Sequence, residues 1–174
     1  MTAACCDDCL RRGHLLGLLA PRISGALARR EAPAGLLALD DADLVAAVCA
    51  SPQRRAEAEA FLDRFEPGAA RAALAELGVE AVCRHAGAYP TGLLELADPP
   101  AALFVVGGPE RLRALADAPA ATIVGSRRGT PYGLEMAEAL GRGLAAAGLT
   151  VVSGLALGVD AAAHRGACAA PAGG

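Results

Sequence analysis

Two apolar runs, each ending in a glycine and each followed by a helical pattern, constrain the fold of this chain more than any other feature. The runs lie at 121–125 and 150–154. Continuous apolar runs of this length are typical of strands that are buried on both faces of a sheet. Residues 131–147, between the runs, have apolar side chains at helical spacing with Pro131 at the start and Gly148 after the end, and 159–169 predict a second helix. The sequence therefore predicts a βαβα unit with parallel strands and a right-handed crossover.

Residues 1–78 have a different pattern, in which short helical segments alternate with Pro and Gly. The predicted helices are one that ends at Pro21, then 23–30 (broken by 32–35), 40–48, 52–65 and 69–77. Residues 79–83 alternate like a short strand, and the continuous apolar run at 103–107 predicts a strand that is buried on both faces. The resulting interpretation is a small all-helical module over 1–78, of the SAM-like or helix-hairpin-helix kind, followed by an α/β domain over 79–174. Such modules bind DNA or protein in some proteins and only pack against a neighbour in others.

The two strand–helix loops, 125–133 and 153–160, contain the residues that are best suited to bind a ligand. Ligands of open α/β sheets bind outside the carboxyl ends of the strands, so we expect both loops at one edge. Gly125 and Gly154 allow close approach of the backbone, and the helix N-termini that follow favour anions. Ser126 and Arg127 add a hydroxyl and a guanidinium fork for phosphate oxygens. The sequence predicts an anion site here; the alternative is that the glycines only close tight turns.

Composition and spacing exclude several kinds of chemistry. All 16 basic residues are arginine, which excludes a Walker P-loop and a lysine Schiff base. The net charge of −3 means that a polyanion would have to be bound by a local site. The spacing of Gly125, Gly129 and Gly133 is not that of the dinucleotide fingerprint. Asp160 and His164 could form an acid/base pair or organise the loop; with no nucleophile motif beside them, we predict no catalytic residue.

The six cysteines are predicted to be reduced thiols or metal ligands, because the sequence begins without a secretory signal. With no apolar stretch of membrane length, the expected location is the cytoplasm. Cys6-x-x-Cys9 is half of a zinc motif, and His14, Cys49, Cys83 and His85 could supply the missing ligands, although none of them forms a second C-x-x-C. Cysteine also occurs as a small buried hydrophobe. The sequence thus assigns no metal and no cofactor, and keeps Cys6 and Cys9 as weak candidates.

Together the two loops resemble those of the DNA-processing protein A (DprA/Smf) family. Residues 121–133 carry that family's Gly-Ser-Arg pattern, and 151–167 carry its Ser-Gly-x-Ala-x-Gly-x-Asp-x-x-Ala-His pattern. Residues 89–90, 93–94, 98–100 and 103–107 are also similar to the family's first strands, and 1–78 to its SAM-like module. The resemblance implies an extended Rossmann-like domain with a parallel sheet. It also implies a DNA phosphate-binding site formed by Gly125, Ser126, Arg127, Arg128, Ser153, Gly154, Gly158, Asp160 and His164.

The function implied by the resemblance is non-catalytic binding of single-stranded DNA with little sequence preference. Family members are bacterial cytoplasmic proteins that protect incoming DNA during natural transformation, load the RecA recombinase and act as dimers; no membrane partner is implied. Two features depart from the family. The chain ends at 171–174, where the family begins its next strand, so we expect an incomplete sheet and a missing dimer surface. Leu157 stands where many relatives have a basic or polar residue.

Two other classes of function stay open at this stage. One is a nucleotide or sugar-phosphate hydrolase with a related Rossmann-like core, which would require a glutamate-rich catalytic stretch after residue 174. The other is a structural or protein-binding fragment, in which an open sheet edge would favour association.

Overall fold

The computed structural model describes residues 5–29 and 35–171. Its elements, in chain order, are α1 (Asp7–Ala28), a 3-10 turn (Leu36–Ala38), α2 (Asp41–Val48), α3 (Pro52–Arg64), α4 (Pro67–Glu76), β1 (Val79–Cys83), α5 (Thr91–Leu94), β2 (Ala102–Val106), α6 (Pro109–Asp117), β3 (Ala120–Thr122), α7 (Pro131–Ala146), β4 (Thr150–Val152) and α8 (Val159–Cys168). Within these described residues, no helix combines the length and the apolar character needed to cross a membrane. The chain forms two compact units that divide between Arg113 and Ala114, here called the N-terminal and the C-terminal unit.

Helix α1 is longer than the sequence predicts. A helix ending at Pro21 and a second one starting at Ile23 were expected, but α1 runs through both positions. Proline removes one helical hydrogen bond, here the one to the carbonyl of Gly17. Pro21 and Gly17 both lie on the exposed face, where water can satisfy that carbonyl, while the buried face continues through Leu19 and Ile23. Burial of this face outweighs the cost of the proline; the predicted break at 32–34 lies outside the described residues.

The other helix boundaries of the N-terminal unit follow the local signals. The Asp40 side chain accepts a hydrogen bond from the Asp43 amide and caps α2. Ser51 does the same for α3 through the Arg54 amide, with Pro52 at the first helical position. The helices predicted over 40–48, 52–65 and 69–77 are therefore confirmed, within one or two residues at their ends.

The strands β1 and β2 form an antiparallel pair, with Ala81 opposite Phe104. The expectation that the 103–107 run is buried on both faces is wrong, because Val106 and Phe104 are 77% and 43% exposed. The pair packs with α1 and α4 around a core formed by Leu10 and four small side chains, Cys5, Cys9, Cys83 and Ala101. The predicted division after residue 78 therefore differs from that of the structure, because β1 and β2 share a core with the helices.

The C-terminal unit has the predicted β–α–β–α order, and β3 and β4 pair in parallel with Ala121 opposite Val151. Helices α7 and α8 pack closely at two glycines. A Cβ at Gly141 would overlap the carbonyl of Ala163, and one at Gly166 would overlap the carbonyl of Glu138. The expectation that the runs at 121–125 and 150–154 are buried on both faces is wrong, because Val124 and Val152 are 65% and 47% exposed.

The chain thus has a mixed helix-and-sheet, Rossmann-like architecture with a small parallel sheet, as the sequence predicts.

Candidate functional site

The loops that follow β3 and β4 lie side by side, because their strands are parallel neighbours. The Ile123 amide donates to the carbonyl of Val152 at 3.0 Å, which extends the strand pairing by one residue. Farther along, the Val159 amide donates to the carbonyl of Ser126 at 3.2 Å. The Ser153 hydroxyl donates to the carbonyl of Ile123 at 2.7 Å. Three hydrogen bonds therefore join the end of β3 and its loop to the end of β4 and its loop.

Asp160 joins the two loops through its carboxylate. Its Oδ1 accepts the Gly125 amide at 3.2 Å, and its Oδ2 accepts the Gly154 amide at 3.1 Å. The residue is only 5% exposed, and a buried carboxylate needs such partners. Asp160 is thus an organiser of the loops. It binds the amides of Gly125 and Gly154, two residues that the sequence analysis places in the phosphate-binding site.

Gly158 closes the second loop in a backbone conformation that requires glycine. Its φ is +89°, and a Cβ there would overlap the carbonyl of Ser126 and lie 2.7 Å from the carbonyl of Arg127. The loops therefore meet backbone to backbone at this position. Leu155 also has a positive φ, +56°, and both it and Leu157 are more than three-quarters exposed.

The first loop exposes side chains that can donate hydrogen bonds. Ser126, Arg127 and Arg128 are all exposed. The Ser126 oxygen accepts the Arg128 amide at 3.0 Å, which leaves its hydroxyl proton free to donate. In the part of the chain that the structure describes, neither guanidinium takes part in an ion pair. The loop surface therefore presents hydrogen-bond donors and positive charge, which suits an anion.

His164 does not pair with Asp160 in the described structure. Its Nε2 is buried and has no hydrogen-bond partner among the described residues, and the Asp160 oxygens are bonded to backbone amides. The acid/base alternative considered for these two residues is therefore not formed. Sequence reasoning missed Thr130, whose hydroxyl oxygen accepts the Gly133 amide at 3.1 Å and caps α7; a threonine before a proline at a helix start is the signal for it.

The two cysteines retained as weak metal candidates lie in the N-terminal unit. Cys6 and Cys9 are at the start of α1, beside Cys83 and His85. The other two ligand candidates lie elsewhere: the His14 ring packs against Phe65 and Phe104, and Cys49 is buried in the leucine core.

The C-terminal unit pairs two parallel strands and joins their two glycine-containing loops by hydrogen bonds, with arginines exposed on the first loop. These features define the class of protein as a Rossmann-like α/β protein. The family described as DNA recombination-mediator protein A matches residues 80–172, which is more than half of the chain. The chain belongs to this family, and the resemblance to DNA-processing protein A is thereby confirmed.

Similar proteins carry related names. The chain is 37% identical over 76 residues to "Protein Smf" of Synechocystis and 33% identical over 105 residues to "DNA processing protein DprA" of Bacillus subtilis. The fold is similar to that of DNA processing protein A from Streptococcus pneumoniae, with a TM-score of 0.52 and 24% identity over 91% of this chain. These matches span 19% and 34% of the two curated relatives and 51% of the solved chain.

Proposed function

We propose that this chain binds single-stranded DNA, with little sequence preference, through the loop after β3. The proposed setting is the cytoplasm, in DNA uptake, natural transformation and recombination, where the protein protects incoming DNA. Family membership supports a role in DNA processing. One observation carries the proposal. The first loop exposes Ser126, Arg127 and Arg128, while a hydrogen bond from its Gly125 amide to the buried Asp160 carboxylate holds its backbone in place. Phosphates are present at every nucleotide, so a site of this kind is independent of sequence.

Local charge explains how a chain of net charge −3 would bind a polyanion. Two adjacent guanidinium groups offer bidentate donors to phosphate oxygens, and the Ser126 hydroxyl offers a third donor. The other predicted site residues would then act by shaping the loops: Gly125, Ser153, Gly154, Gly158, Asp160 and His164. Asp160 accepts hydrogen bonds from the Gly125 and Gly154 amides, and the Ser153 hydroxyl donates to the end of β3.

The test is fluorescence anisotropy of a labelled oligo-dT with the wild-type chain and with Arg127→Ala. We expect the affinity to fall about tenfold and the salt dependence to weaken by about one phosphate contact. Arg142→Ala is the matched control: it removes the same charge from α7, where Arg142 pairs with Glu138. Equal effects of the two substitutions, or no binding by the wild-type chain, would contradict the proposal.

We further propose that the whole protein acts as a homodimer and delivers RecA to the bound strand. This part is supported by family membership alone, and it predicts faster RecA assembly on DNA covered by a single-strand-binding protein. A rate unchanged by the protein would contradict it without affecting the DNA-binding proposal.

The hydrolase alternative finds no support in the two loops. Asp160 is the sole carboxylate of 123–134 and 150–164, and both its oxygens accept backbone amides. We therefore propose a non-catalytic role, which predicts no release of base or phosphate from nucleoside monophosphates.

A further inference from the structure

Four potential metal ligands from two distant parts of the sequence meet in the N-terminal unit. They are Cys6, Cys9, Cys83 and His85, and their ligand atoms all lie within 4.8 Å of one another. The first two belong to the start of α1; the others lie at the end of β1 and in the turn that follows. None of the four residues belongs to the strand–helix loops at 125–133 and 153–160, so the group is a separate candidate site.

The distances match a tetrahedral ion. With zinc–sulfur bonds of about 2.3 Å and a zinc–nitrogen bond of about 2.05 Å, tetrahedral angles put sulfur and nitrogen about 3.6 Å apart. The Cys6 and Cys9 sulfurs lie 3.4 and 3.5 Å from Nδ1 of His85. Both separations agree with those of ligands that share one ion.

The surroundings of Cys83 suit a thiolate. Its sulfur accepts the backbone amide of Cys6 at 3.5 Å. Amides that donate to a ligand sulfur are the usual supporting contacts of a metal–thiolate site.

The packing around the cluster indicates that a bound ion would stabilise the contact between α1 and β1. Three of the five buried residues in this core are cysteines, and a fourth is Ala101. The cysteine and alanine side chains each bury little apolar surface, so burial in this core comes mainly from Leu10 and from the partly buried Phe65 and Leu74. Ligands 77 residues apart in sequence, as Cys6 and Cys83 are, would fasten α1 to β1.

We propose that Cys6, Cys9, Cys83 and His85 bind one structural zinc ion. Three thiolates and one imidazole fill a tetrahedral site with protein ligands, which is the pattern of structural zinc rather than catalytic zinc. The exposed position of His85 provides a path by which the ion enters. The site links the first turn of α1 to the turn after β1, independently of DNA binding.

The first test is elemental analysis of the full chain after reduction, incubation with zinc and removal of free metal. We expect about one equivalent of zinc in the wild type and at least a tenfold loss in His85→Ala. His85→Cys should retain the ion, because a thiolate can replace the imidazole. Cys49→Ala, which changes a buried cysteine outside the cluster, should also retain it.

A second measurement separates loss of metal from loss of fold. Cobalt(II) added to the metal-free wild type should give the visible absorption of a tetrahedral thiolate site, and His85→Ala should weaken it at unchanged far-UV circular dichroism. Removal of the ion by a chelator should raise hydrogen exchange in 5–10 and 79–86, but not in 137–167. Less than about a tenth of an equivalent of zinc in the wild type, or equal loss in Cys49→Ala and His85→Ala, would overturn the proposal.

Discussion

The two units of this chain are stabilised by side chains of very different size. In the N-terminal unit the largest fully buried side chains include Leu10, Leu15, Leu19 and Leu44. In the C-terminal unit every buried hydrophobic residue that the structure describes is an alanine, namely Ala137, Ala145, Ala162, Ala163, Ala167 and Ala170. Alanine buries little surface, so the C-terminal unit depends on close backbone packing and hydrogen bonds. An alanine-rich composition, 44 residues of 174, therefore has different consequences in the two units.

The comparison predicts that truncating one leucine has the largest effect, and that the effect is confined to the N-terminal unit. Leu19→Ala removes a fully buried side chain from the core that also contains Leu15 and Leu44. We expect the free energy of unfolding of that unit to fall by about 3 kcal/mol. Leu18→Ala, at the neighbouring position of α1, truncates a side chain that is 43% exposed and should cost less than about 1 kcal/mol.

Urea denaturation followed by far-UV circular dichroism measures both changes, and hydrogen exchange with mass spectrometry assigns them to a unit. Equal losses for Leu18→Ala and Leu19→Ala would show that the leucine core does not dominate the stability of the N-terminal unit.

The second prediction concerns the close packing of α7 on α8. Gly166→Ala would force its Cβ into the carbonyl of Glu138, so the helices must separate. We expect a loss of about 2 kcal/mol, since overpacking a tight contact typically costs 1–3 kcal/mol. Gly143→Ala is the control: it lies in α7 with open space at its Cβ, and it should stabilise the helix by up to about 1 kcal/mol.

Opposite signs for these two glycine-to-alanine changes, in the same denaturation assay, would support backbone contact as the main packing device of the C-terminal unit. A stabilising Gly166→Ala would contradict it.

Local signals predicted much of this fold. Helices α2, α3 and α7 begin at capping residues followed by good helix formers, and these short-range rules do not depend on the rest of the chain. Pro21 was misread because its local cost is visible in sequence, whereas the buried face that offsets it is a tertiary property. The burial of β2 was misread for a related reason: an apolar run does not specify whether the rest of the chain covers both of its faces.

The candidate sites likewise contain features that local sequence predicts and features that only the fold reveals. The residues of the two loops are contiguous in sequence, and parallel pairing brings them together, so a motif could find them. The motif does not reveal that the Asp160 carboxylate accepts the Gly125 and Gly154 amides, because those hydrogen bonds depend on the three-dimensional arrangement of the loops. Cys6 and Cys9 gave only half of a metal motif, because Cys83 and His85 join them through the folding of α1 onto β1.

The smallest predicted effect concerns Asp160, on which the order of both loops depends. Asn in its place has one carbonyl oxygen where the carboxylate has two, so the amide of Gly125 or Gly154 loses its acceptor. We expect about 1.5 kcal/mol lower stability of the C-terminal unit, with faster hydrogen exchange at those two amides in NMR spectra. Glu135→Gln, on the exposed face of α7, removes the same charge and should leave both quantities unchanged.

DNA binding by Asp160→Asn distinguishes an organiser from a simple negative charge. Removing a carboxylate from the loops would, by charge alone, strengthen the attraction for a polyanion. An organising role predicts the reverse, because looser loops position Ser126 and Arg127 less well for phosphate. Weaker binding of oligo-dT by Asp160→Asn, at unchanged affinity of Glu135→Gln, is therefore the expected result. Tighter binding would mean that the hydrogen bonds from Gly125 and Gly154 contribute nothing to the site.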